Sequence, residues 1–127
     1  MKFKSDFLLV IICLVIFAGC VGPLVPVIDM ANVDPQDLQG SQRIQIYTKR
    51  EKPPLGYKEI RSVQAWSCKN KTWDPPATKE NAIKQIKLVA YRLGATAIMD
   101  IEFGGHGTSL STNCWSSVVV VGMAIKY

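Results

Sequence analysis

Thirteen consecutive uncharged residues, positions 7–19, run up to Cys20 near the start of this chain and then give way to a stretch rich in Pro and Gly. A helix crossing a bilayer core of about 30 Å needs roughly 20 apolar residues, so the run is too short to span. It matches instead the apolar core of a secretory signal. Lys2 and Lys4 form a basic leader interrupted only by Asp6, and the small residues Ala18 and Gly19 stand where a signal peptidase needs them. Residues 1–19 are therefore expected to be a signal peptide that takes no part in the fold. That expectation bounds everything after it: 127 − 19 leaves 108 residues. The first twenty or so of these carry Pro23, Pro26 and Pro35 without sustained periodicity. Residues 20–42 read as an extended tether, and 43–127 as one small globular domain.

The junction itself is more specific than a generic signal. Phe17, Ala18, Gly19 and Cys20 resemble the lipobox of bacterial lipoproteins. The resemblance implies that Cys20 is acylated on its sulfur, becomes the first mature residue and is acylated again on its amino group. Each buried CH₂ contributes about 0.8 kcal/mol, so two or more chains give a stable membrane anchor. An ordinary signal and an uncleaved anchor are the alternatives.

The cysteine count follows from that division. Of four cysteines, Cys13 leaves with the signal and Cys20 carries lipid, so Cys68 and Cys114 remain as the one pair able to form an intramolecular disulfide. An exported protein works where disulfides form and persist. Closing a loop with a separation of 46 residues (114 − 68) is worth about 4 kcal/mol in the chain-entropy model.

Charge excludes less than it suggests. Without the signal, 13 basic and 9 acidic side chains remain, a net of +4. A basic balance invites nucleic acid, yet an exported lipoprotein meets none. The cations concentrate at Lys49, Arg50 and Lys52, then Lys58 and Arg61, then Lys69 and Lys71. A solvated surface is the plain reading. The functional one is attraction to anionic head groups or an acidic partner, with Lys49, Arg50, Lys52, Lys58 and Arg61 as the candidate surface.

Hydrophobic periodicity predicts the elements. Ile44 and Ile46 alternate with polar neighbours across 43–48, a half-buried strand. Pro53, Pro54 and Gly56 end it, and 57–68 reads as a second strand. Thr78 stands as N-cap to a helix with Glu80 in its first turn. Ala82, Ile86, Val89, Ala90 and Leu93 form its core-facing stripe, and Gly94 is its C′ residue. Residues 96–103 alternate as a strand, 104–113 read as a Gly/Ser/Thr loop, and the β-branched run after Cys114 is a buried strand. The expected fold is α+β: a small four-stranded sheet with one main helix, β-β-α-β-β, stapled by one disulfide.

"IYT" at 46–48, "VQAWSC" ending at Cys68, "ATAIMDI" from Ala95 and "NCWSSVVVVGMAI" with Gly122 follow the lipobox in order. In that arrangement the chain resembles the RcsF-like outer-membrane lipoproteins, stress sensors of the Rcs phosphorelay. The resemblance covers 43–127 plus the signal. It implies a lipid-anchored, non-catalytic signalling module at the outer membrane, its domain facing the periplasm. Its partners would be outer-membrane β-barrel proteins and an inner-membrane regulator. Val21 in place of Asp after the lipidated Cys fits outer-membrane sorting by the family's rule. Two features depart from the family. Its second disulfide would join a position near Val120 to one in the strand ending near Phe103, neither of them Cys here, and residues 21–42 are shorter and more apolar than its barrel-threading tether.

Other classes have less behind them. A metal centre would draw on Cys68, Cys114 and His106 with Asp100 or Glu102, but no CxxC or HxxxH spacing occurs. The lone His in a Gly-rich loop and the carboxylates of one strand face suggest no enzyme and no cofactor. A structural envelope lipoprotein without a signalling role is the main alternative, and a small metal- or ligand-binding domain the other.

Overall fold

A computed structural model of the chain describes residues 28–70, 72, 76–109 and 114–127, and of 106–109 the backbone only. Cys20, the signal segment and the start of the tether lie outside the described residues.

After a 3-10 turn at Met30–Asn32 come helix α1 (Pro35–Gln42), strands β1 (Gln45–Ile46) and β2 (Lys58–Lys69), helix α2 (Lys79–Arg92), and strands β3 (Ala97–Ser109) and β4 (Cys114–Lys126). The strands make one sheet in the order β1-β3-β4-β2. β1 runs parallel to β3, while β4 pairs antiparallel with both β3 and β2. The expected α+β fold with a four-stranded sheet, a main helix and one disulfide is the observed one.

α2 forms where its caps and stripe place it. The Thr78 hydroxyl accepts from the Asn81 amide at 3.1 Å. At the other end the Gly94 amide donates to the Tyr91 carbonyl and the Ala95 amide to the Ala90 carbonyl, the paired bonds that close a helix through a left-handed residue, here Gly94 at φ +75°. Its sheet-facing residues Ala82, Ile86 and Ala90 are fully buried against Val63, Ala65, Ile98, Val118, Val120 and Ala124. The seat is fixed by Ser67 of β2, whose buried hydroxyl accepts from the Thr78 amide at 3.1 Å and the Asn81 side chain at 3.0 Å. Leu93, expected in the core, lies 37% exposed at the helix end.

The tether reading fails for its second half. Residues 35–42 are helical because Asp34 caps them, accepting from the Gln36 amide at 2.7 Å, and Pro35 occupies the first turn, where a missing N–H removes no bond. α1 packs on α2. Arg92 pairs with Asp37 at 3.0 Å, and Gly40 lies so close to the Tyr91 ring that a Cβ would come within 2.3 Å of it.

β3 also departs from expectation. It runs on through Gly104, Gly105 and the backbone of 106–109, where a loop was expected, because β4 supplies partners along its length, from Ala97↔Ile125 to Ser109↔Cys114. The simple alternation is broken by a bulge between Met99 and Glu102, where Asp100 takes φ +54°. This lets both Ile98 and Ile101 approach Gly122. A Cβ at Gly122 would stand 2.7 Å from Ile98 Cγ2 and 3.2 Å from the Met99 carbonyl. Gly122→Ala is therefore expected to lower unfolding stability by about 2 kcal/mol, the usual cost of overpacking. Denaturant titration measures it, and an unchanged midpoint would contradict the packing.

Candidate functional site

The register divides the sheet into two ends of different chemistry. Gln45↔Ala97, Ala97↔Ile125 and Ile125↔Glu59 are successive pairs, so these residues form one row across all four strands. Cys68 and Ser117 pair at the far end of β2. Ten residues separate Lys58 from the level of Cys68 (68 − 58), about 33 Å along a strand.

The far end holds the staple. Cys68 and Cys114 are disulfide-bonded with their Cα atoms 5.4 Å apart, a span that such a bond bridges without moving the backbone. Cys114 is 1% exposed. Both sulfurs are thereby committed, so the metal donor set considered from sequence loses its thiolates. Of the remaining members, Glu102 is paired with Lys49 and the His106 side chain lies outside the described residues. Among the described residues no group of three or more His, Cys, Asp or Glu side chains could hold a metal ion.

The structure splits the predicted cation surface in two. Lys49, Arg50 and Lys52 lie in the connection that leaves β1, at one edge of the sheet, whereas Lys58 and Arg61 belong to β2, at the other. Within the connection a tight turn is locked by its own acid. The Glu51 carboxylate accepts from the Thr48 amide and hydroxyl, both at 3.0 Å, and those bonds, the amide's first, hold its pKa below the ordinary carboxylate value. Lys49 reaches Glu102 on β3 at 2.6 Å, which raises the lysine pKa and lowers the carboxyl's, in each case first through the side-chain hydrogen bond and then through charge. Both partners are more than half exposed, so the bridge fixes geometry more than it stabilises. It also neutralises Lys49 as a binding cation. Arg50 and Lys52 are exposed.

On β2, Lys58 and Arg61 are exposed as expected, and a third cation joins them. Lys126 of β4 stands directly opposite Lys58 in register. Nothing in local sequence pairs residues 68 positions apart (126 − 58); only strand register reveals the contact. Arg61 also lines a groove of about 310 Å³ with Ser62, Val63 and Gln64 of β2 and Val89 and Leu93 of α2. The last two were assigned to core packing by their helical spacing, and their part in an open groove was not foreseen.

Between the ends, Phe103 and Val120 are register partners across β3 and β4. They form an apolar pair. The β1 row carries a small polar cluster in which the Tyr47 and Tyr127 hydroxyls both donate to Gln45 Oε1 at 2.8 Å. Tyr47 has its pKa raised, first by its hydrogen bond with Tyr127.

No helix among the described residues is long and apolar enough to cross a membrane, which says nothing of strands. Removing the staple by Cys68→Ser is expected to lower stability by about 4 kcal/mol. Melting with and without reductant checks it: the wild-type transition should fall on reduction and the variant's should not respond. A wild-type transition indifferent to reductant would contradict the assignment. Comparison with family models gives no match, and comparison with curated proteins gives none either.

Proposed function

We propose that this chain is a lipid-anchored, non-catalytic binding and signalling module of the cell envelope. Cys20 would hold it in the outer membrane, and its globular domain would face the periplasm and sense envelope stress by contact with an inner-membrane regulator, in the manner of the RcsF-like lipoproteins. The observation that carries the reading is the Cys68–Cys114 disulfide in a domain whose chain opens with an export signal and a lipobox-like Cys20. A structural disulfide is stable in an oxidising compartment and rare in a reducing one. The bond therefore agrees with the signal about where the domain folds, from a different physical argument. Exposed cations, Arg50 and Lys52 in the connection after β1 and Lys58 and Arg61 on β2, suit an acidic protein surface.

The test is complementation of a deletion strain of the host with the wild-type chain or Cys20→Ser. The wild type should incorporate labelled palmitate and restore the transcriptional response to envelope damage, and the variant should do neither. A wild-type chain that takes up no palmitate would overturn the anchor. An undiminished stress response in the deletion strain would overturn signalling and leave a structural lipoprotein.

A further inference from the structure

We propose that the outer edge of β2 accepts an extended, acidic segment of a partner protein as a fifth strand of the sheet. The inference rests on the reading of the domain as a protein-binding module and names where and what it binds. β2 is the last strand in the order and twelve residues long, and among the described residues no strand lies on its outer side. An edge of that length presents a row of backbone donors and acceptors that a further strand can satisfy. Residues 58–62 and Gln64 are exposed.

Two observations select the occupant. The first is the groove beside this edge, where Val63, Val89 and Leu93 contribute apolar surface and Arg61 a cation. A strand laid along β2 sends alternate side chains to each face of the sheet. One set would enter this groove, where small apolar groups meet Val89 and Leu93 and a carboxylate meets Arg61. The second is charge. Lys58, Arg61 and Lys126 gather at one end of the edge, and Glu59 is the one acidic side chain of β2. Like charges directly opposite one another, as Lys58 and Lys126 are, destabilise a sheet on their own, and an acidic strand relieves them. A second copy fits less well. Antiparallel pairing of β2 with itself over its full length sets Lys58 of each copy opposite Lys69 of the other, like against like.

The experiment uses the full chain in detergent micelles. The probe is a synthetic peptide of about eight residues alternating valine and glutamate, with a valine–lysine peptide as control. Amide exchange read by NMR should slow at alternate residues of β2 with the glutamate peptide only. Reversing both charges, Lys58→Glu with Arg61→Glu, should weaken binding about tenfold or more while the melting temperature holds. Leu93→Ser, at an exposed position, should weaken it without reversing the charge preference. Equal protection by both peptides, protection mapping elsewhere, or no binding of either would overturn the site. The last result would mean that the edge lysines serve only to repel other strands. None of these outcomes bears on palmitate uptake or the stress response, which test the functional reading separately.

Discussion

The Cys68–Cys114 bond is the constraint around which this domain is arranged. It joins the end of the edge strand β2 to the start of the central strand β4. The chain between them, 46 positions apart, contains all of α2 and β3. A domain of this size has little hydrophobic core to set against chain entropy, and much of its core cluster is alanine: Ala65, Ala82, Ala90, Ala95 and Ala124. Shortening the unfolded loop compensates for what that core cannot supply. The staple also fixes one end of β2 and leaves the other, where Lys58 and Lys126 face each other, open to solvent. The staple and the facing lysines thus sit at opposite ends of one sheet.

Much of this was legible in the sequence, and the two failures have different causes. α2 was readable from end to end because Thr78, its stripe and Gly94 all specify the same helix locally. The disulfide was readable by counting, once Cys13 and Cys20 were assigned elsewhere. α1 was missed because a stretch with three prolines and no sustained periodicity reads as an extended tether, whereas a proline behind an Asp cap begins a helix. Gly40 is where the Tyr91 ring packs closely on α1. The glycine-rich end of β3 has little strand propensity of its own and is held by β4. At β3 a distant partner outweighed the local preference, whereas α1 is specified by its own cap.

The binding surface shows the same division. Sequence proximity joined Lys49, Arg50, Lys52, Lys58 and Arg61 into one patch. Folding sends the first three to the β1 side and the last two to the β2 side, ties Lys49 to Glu102, and brings in Lys126 from the far end of the chain. Leu93 satisfied the helical stripe but sits where α2 ends and the sheet edge opens, so it becomes part of a groove. Burial depends on where the neighbouring element stops, which periodicity does not encode.

The central claim is that an exported chain carries lipid on Cys20 and folds around one disulfide. Its most direct measurement is the intact mass of the membrane-extracted protein after thiol blocking without reductant. The account predicts a chain beginning at Cys20 with an acyl adduct, and with neither Cys68 nor Cys114 modified by the blocker. A chain that retains residues 1–19 without lipid, or one in which both cysteines are blocked, would contradict it.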